Sequence, residues 1–240
     1  MTPPLAARFV SWALPPLRAG TRSHAALVVE NVGSAVWRKD VLASYHWLDE
    51  RGNPIVWDGL RTPFPAPVAP GQRVAIELAL RMPIPPGRYR LALDLVAEGR
   101  AWLAELGSAS PQEEVEVLPR VEASSLAEVA VFHLPEWCQP AQGWEERALA
   151  AHADGYAVVT GAIDPPRRLR RVLSAWAPGP GRVPGFAHPL LCPSVLRGVE
   201  LERLPDVHGL PAFRPPADEP WLYDGSLVIK ARPPFGRRRG

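Results

Sequence analysis

Val74-Ala-Ile-Glu-Leu-Ala-Leu80 and Tyr89-Arg-Leu-Ala-Leu-Asp-Leu95 carry the same signal twice. In the first, Val74, Ile76, Leu78 and Leu80 alternate with Ala75, Glu77 and Ala79. In the second, Tyr89, Leu91, Leu93 and Leu95 alternate with Arg90, Ala92 and Asp94. Successive side chains of a strand point to opposite faces, so this period of two predicts strands with one buried face. Working outward, similar β-rich runs are expected at Arg8–Trp12, His24–Val32, Val41–Leu48 and Ile55–Trp57, with Glu113–Leu118 as a last strand. Between them stand Asn31-Val-Gly33, Asp49-Glu-Arg-Gly52-Asn53-Pro54, Ala69-Pro70-Gly71 and Pro83-Ile-Pro-Pro-Gly87, the chemistry of tight turns. No helix-period stretch interrupts them. Residues 1–118 are therefore expected to form an all-β, two-sheet sandwich rather than βαβ units.

The period then changes. Ser108-Ala-Ser-Pro111 breaks the pattern, residues 119–125 read as a linker, and residues 126–231 read as a small, incomplete α/β domain. Its expected elements are a strand over Glu128–Leu134, a helix with Trp144, Ala148, Leu149 and His152 on one face, and a strand over Tyr156–Ile163. That helix should stop at Asp154-Gly155, with glycine in the left-handed cap. Asp164-Pro165-Pro166 should open a second helix, whose core stripe is Leu169, Val172, Leu173 and Trp176. Beyond Pro178-Gly-Pro-Gly181, His188–Leu191, Val199–Leu204 and Leu227–Ile229 are strand candidates among prolines. Residues 232–240 read as a basic, flexible tail.

Composition bounds the function. The 240 residues are 47% hydrophobic and 22% charged, which suits a globular chain and not a disordered one. Lys+Arg 27 against Asp+Glu 25 leaves +2, too little for nucleic-acid binding driven by bulk charge. Thirty prolines imply short elements and stiff connections. Two cysteines cannot staple a disulfide scaffold. No apolar run approaches the roughly 20 residues that span a bilayer. The opening Met1-Thr-Pro-Pro-Leu5-Ala-Ala-Arg8 lacks the features of a secretory signal, so a cytoplasmic location is expected.

Two resemblances sharpen these expectations. Asn31-Val-Gly-Ser-Ala-Val-Trp37, Tyr45-His-Trp-Leu-Asp49, Trp57-Asp-Gly-Leu-Arg-Thr-Pro63, Val68-Ala-Pro-Gly71 and Pro86-Gly-Arg-Tyr89 resemble the bacterial Ig-like β-sandwich modules. Such modules are appended to enzymes or binding proteins and have no chemistry of their own, which is what the resemblance implies here. Farther on, Val129-Ala-Val-Phe-His-Leu-Pro-Glu-Trp-Cys138-Gln-Pro140-Ala-Gln-Gly143-Trp144 and Gly155-Tyr-Ala-Val-Val-Thr-Gly-Ala-Ile163 resemble a fragment of a family-two, GT-A type glycosyltransferase. That family's Asp-x-Asp holds a divalent ion against the leaving nucleoside diphosphate. Aligned on Pro140 and Gly143-Trp144, the motif falls on Pro135-Glu136-Trp137, where one carboxylate survives. The family's nucleotide-binding first half is replaced here by the sandwich. The resemblance therefore implies a degenerate remnant without a donor site.

The candidate residues follow from these readings. Glu136 is a candidate metal ligand or catalytic base, and a solvated loop carboxylate is its plainer reading. Arg167, Arg168, Arg170 and Arg171 crowd a helix N-terminus, an anion-binding arrangement unless they simply face solvent. Trp37, Trp47 and Trp57, with Trp102, are candidates for a sugar-stacking platform, although tryptophan in such modules more often packs the core. His133, Cys138, His188 and Cys192 have spacings loosely compatible with zinc but lack a Cys-x2-Cys signature. A Cys138–Cys192 disulfide is disfavoured in a reducing compartment, and Cys138 as a nucleophile beside a histidine has no family signature, so a buried inert thiol is the plainer reading. The expected function is a non-catalytic binding or scaffold protein, accessory to polysaccharide or glycan synthesis. The alternatives are a glycosyltransferase-like enzyme using a nucleotide-sugar donor and an arginine-mediated phosphate binder. No cofactor is expected, save a divalent metal under the glycosyltransferase alternative. A protein partner and carbohydrate are the expected partners, with no specific nucleic acid and no transmembrane segment.

Overall fold

Val74–Leu80 and Tyr89–Leu95 become strands of two different sheets, the first at the end of its sheet and the second inside. The structure is a computed structural model that describes residues 3–122, 126–165, 188–207 and 209–232. It divides into two units, Met1–Leu118 and Pro119–Gly240. The first unit contains β1 (Ala7–Ala13), β2 (Arg22–Asn31), β3 (Val41–Leu48), β4 (Pro54–Val56), β5 (Thr62–Pro63), β6 (Arg73–Arg81), β7 (Gly87–Ala97), β8 (Ala101–Trp102) and β9 (Gln112–Val117). One sheet has the order β1-β2-β6; the other runs β4-β3-β7-β8, with β5 also on β3 and β9 on β7. All pairings between these strands are antiparallel.

Pleat parity explains the core. Leu27, Val29, Leu78 and Leu80 from the first sheet meet Val41, Ala43, Tyr45, Trp47, Leu91, Leu93 and Leu95 from the second in a single buried cluster. Each large side chain removed from water contributes about 1.5–3 kcal/mol, set against the entropy of ordering the chain. The Asn31-x-Gly33 turn is a lock on this core. Buried Asn31 donates through Nδ2 to the carbonyls of Ala35 and Val68, both at 2.9 Å, and its Oδ1 accepts from the Gly33 N–H at 3.0 Å. A Cβ on Gly33 would stand 2.5 Å from the Pro4 carbonyl oxygen, so only glycine lets the N-terminal segment pass. The first sheet ends on β1, whose pairing with β2 shifts register between Phe9 and Ser11.

The second unit contains α1 (Leu126–Val129), β10 (Ala130–Phe132), β11 (Cys138–Pro140), α2 (Trp144–Asp154), β12 (Val158–Asp164), β13 (Leu190–Leu191), β14 (Ser194–Leu196), β15 (Glu202–Val207), β16 (Leu210–Arg214) and β17 (Trp221–Ala231). Its larger sheet has the order β10-β14-β12-β17-β11, and its smaller one β13-β16-β15. As expected, α2 buries Trp144, Ala148 and His152 and closes on Gly155, at φ 128°, while Leu149, expected on the same face, is half-buried and Ala151 is buried instead.

Here the structure corrects the expected alternation of strands and helices. Leu126–Val129 is one helical turn, and the strand expected from Glu128 begins at Ala130. Residues 190–231 supply five strands, and among the described strand pairs of this unit β12–β17 alone is parallel. Among the described residues the unit is thus mostly β-strand. The helix expected after Asp164 lies outside the described residues, as do residues 123–125 of the expected linker and all of the expected basic tail but Arg232. Among the described residues, no helix is long and apolar enough to cross a membrane.

Candidate functional site

The outward face of β3 and β7 should be wet, yet Ser44, His46 and Asp94 are buried there. Pairing sets Ser44 directly opposite Asp94 and His46 opposite Ala92. The cover is the segment Trp57–Arg61, which follows β4, together with Trp102 of β8. It lies close because residue 59 is glycine: a Cβ there would stand 2.4 Å from the Tyr45 carbonyl oxygen and 2.9 Å from its ring. The Gly59 N–H instead donates to that oxygen at 3.1 Å.

This approach lays the Trp57 indole on the His46 ring, centroids 4.0 Å apart and planes 21° apart. Trp102 meets His46 edge-on at 4.3 Å. Arg61 fastens the cover, with its guanidinium 4.7 Å from the centre of the Trp102 ring. It donates to Glu98 at 2.6 Å, Asp58 at 2.8 Å, the Gly59 carbonyl at 2.8 Å and Ser44 Oγ at 3.1 Å. Beneath the rings, Asp94 Oδ1 accepts from the N–H groups of Leu95 and Ala104, and Oδ2 stands 3.6 Å from His46 Nε2. His46 Nδ1 contacts the Trp57 carbonyl.

Ser44, His46 and Asp94 are the residue types of a hydrolytic triad, but not its arrangement. Ser44 Oγ takes its hydrogen bond from Arg61, and both His46 nitrogens face other oxygens. A nucleophile needs a base at hydrogen-bond distance and access to substrate. What the cluster can do is hold Trp57 rigid. One face of that ring is covered by His46, yet Trp57 remains 47% exposed. The result is a flat apolar plate bordered by Asp58, Arg61 and Glu98. Arg88 and Arg90 share the outward parity of Asp94 on β7. They line, with Glu50, Glu114 and Glu116, a cavity of about 330 Å³.

The other sequence-predicted residues separate clearly. Trp37 and Trp47 are both 0% exposed, which removes them from any sugar platform. Trp47 shares the inward parity of Val41, Ala43 and Tyr45, and Trp37 packs on Phe64 in the same core. Trp102 is nearly buried, so Trp57 alone of the four presents a face. Glu136 lies exposed in the turn between β10 and β11. Among the described residues no group of three or more His, Cys, Asp or Glu side chains gathers as for a metal. Cys138 and Cys192 do meet, with sulfurs 3.9 Å apart. His133 packs on Phe213 instead, and His188 is exposed. Arg167, Arg168, Arg170 and Arg171 lie outside the described residues.

One pair escaped the sequence reading. His152 Nδ1–H donates to the Tyr156 carbonyl at 2.8 Å, and Ser194 Oγ–H donates to Nε2 at 2.6 Å. A carbonyl can only accept, which assigns the tautomer. This is the geometry of a nucleophile and its oriented base, but both side chains are 0% exposed. Burial holds the His152 imidazole below its usual pKa, hence neutral. The pair pins α2 to β14. His152 was legible as part of the apolar face of α2; no sequence signal marks Ser194.

No family model matches the sequence. No curated protein matches it either. Among solved structures, a family 123 glycoside hydrolase from Clostridium perfringens, described in connection with glycolipid glycan hydrolysis, is similar at 13% identity with a TM-score of 0.23. The alignment covers 61% of this chain and 32% of that one, so the chain spans about a third of that protein's length. A likeness at this level fixes neither a shared fold nor an activity.

Proposed function

We propose that the chain is a non-catalytic binding protein whose first unit, an Ig-like sandwich module, presents Trp57 to a glycan in the service of polysaccharide or glycan synthesis. The observation that carries this reading is the state of the Trp57 ring. It is stacked on His46, met edge-on by Trp102 and anchored by the Trp57 carbonyl, while the residue stays nearly half exposed. The apolar face of a pyranose packs on such a plate, and a ring fixed beforehand loses little side-chain entropy on binding. Asp58, Arg61 and Glu98 border it with acceptors and donors suited to sugar hydroxyls. The buried polar groups below are spent on positioning the ring.

The test is affinity electrophoresis of the chain through gels carrying neutral polysaccharides, backed by calorimetry with the oligosaccharides of any that retard it. Trp57→Ala should weaken binding roughly tenfold or more, the usual cost of truncating a central aromatic anchor, whereas Trp57→Phe should retain part of it. Retardation that survives Trp57→Ala, or none by any glycan, sinks the proposal. Binding of a nucleotide-sugar with manganese that disappears in Glu136→Ala would move the function to the second unit.

A further inference from the structure

We propose that Cys138 and Cys192 are a redox-active pair, closed to an intrachain disulfide by a peroxide. The two thiols lie 54 positions apart in sequence and are both buried, yet their sulfurs are 3.9 Å from each other. A disulfide bond is about 2.05 Å long, so closure asks the sulfurs to approach by roughly 2 Å, within the reach of side-chain rotation and a small backbone shift. No third ligand type joins them among the described residues, which favours sulfur chemistry over metal binding.

The surroundings give the two cysteines different parts. Cys138 begins β11, which pairs with β17 at the end of its sheet, and it keeps 7% of its surface in solvent. Cys192 is 0% exposed and lies where the chain leaves β13 in the small sheet for β14 in the large one. Its φ is 50°, the left-handed region that a non-glycine residue rarely occupies, and such strain gathers at switching sites. The hydrogen bond from Cys192 lowers the pKa of Cys138, and the same bond together with burial raises that of Cys192. Cys138 is thus the thiol to react first.

The steps balance. The Cys138 thiolate attacks one peroxide oxygen; an S–O bond forms, the O–O bond breaks, and the departing hydroxide takes a proton to become water. The Cys192 sulfur then attacks the Cys138 sulfenic acid. The S–S bond forms, the S–O bond breaks, and the second hydroxide leaves as water with the Cys192 proton. The two sulfurs give up two electrons in total, and one hydrogen peroxide is reduced to two waters. The product ties β11 to the crossover between the two sheets of the unit, and a small thiol reverses it.

The experiment exposes the reduced 240-residue chain to graded hydrogen peroxide, quenches with an alkylating agent, and maps peptides by mass spectrometry. The expected result is a linked peptide pair containing Cys138 and Cys192, both thiols lost together and both restored by dithiothreitol. In Cys192→Ser the reaction should stop at a sulfenic acid on Cys138 that dimedone traps. In Cys138→Ser, thiol loss should slow at least about tenfold. Wild-type mapping decides even if a variant fails to fold. Two thiols that survive peroxide levels oxidising free glutathione, disulfides only between chains, or dimedone labelling on Cys192 rather than Cys138 would each overturn the proposal.

Discussion

Replacing Gly59 with alanine puts the architecture of the Trp57 platform to a direct test. The added methyl would meet the Tyr45 carbonyl oxygen at 2.4 Å and two atoms of the Tyr45 ring at 2.9 Å. That ring is 1% exposed, so it has nowhere to swing. The segment must therefore lift by about 1 Å to restore ordinary contact. Overpacking of this kind costs about 1–3 kcal/mol, and losing the Gly59–Tyr45 hydrogen bond adds about 1 kcal/mol. For a unit spanning Met1–Leu118, with an unfolding entropy near 2.1 cal/mol/K per residue, a total of about 2–4 kcal/mol lowers Tm by about 8–16 °C. The lift also carries Trp57 off His46, so acrylamide should quench more tryptophan emission, and hydrogen exchange should quicken in Val41–Leu48. Gly71→Ala is the control: nothing lies within 4 Å of its added Cβ, and only the positive φ of 78° is strained. Its cost should be about 1 kcal/mol. A Gly59→Ala protein melting within about 2 °C of wild type, or no lower than Gly71→Ala, would refute the close-approach argument.

Two further outcomes concern the second unit. Because burial depresses the His152 pKa in the fold, the unfolded chain binds a proton below its ordinary value of about 6.5 that the folded one refuses. Stability is then full above that pH and falls as pH drops from about 6.5 toward the folded pKa, at a limiting slope of about 1.4 kcal/mol per pH unit. Urea midpoints between pH 7.5 and 5 should fall with pH in the wild type and fall less in His152→Gln, the remainder coming from His133, which burial also depresses; an unchanged fall would clear His152 of the effect. Gly161→Ala places a Cβ 1.7 Å from the Leu227 carbonyl oxygen, inside the parallel β12–β17 pairing. It should cost about 4 kcal/mol or more and abolish exchange protection in Val158–Asp164, and retained protection there would refute the contact.

The first unit was legible because its long strands keep one face on a single core, so alternation survived in the sequence. Val41–Leu48 was expected at the residues where it is found. The same parity argument, pressed within that strand, puts Trp47 inside with Tyr45; the exposure of Trp57 depends on the approach of Gly59, which no local period encodes. The second unit was harder for a physical reason. Cys138–Pro140 and Ser194–Leu196 are three-residue strands, too short to show a period and placed beside prolines. In Trp221–Ala231 the Asp224-Gly-Ser226 step interrupts the apolar pattern, where the pairing with β12 also shifts register. The meeting of Cys138 with Cys192, and of His152 with Ser194, was set by long-range pairing that spacing alone does not report.

The irregularity in β1 has a consequence for how copies of the molecule behave at high concentration. A terminal strand with a free, regular row of backbone groups is a template on which another chain can extend the sheet. Here the Ala7 N–H is already taken by Ser108 Oγ, the ladder breaks between Phe9 and Ser11, and Pro15-Pro16 follow shortly after the strand. An incoming strand would find no long unbroken run to match along this edge of the sheet. The kink at Val10 thus works as a guard against fibrous association, and restoring a continuous ladder there would make the protein more prone to it.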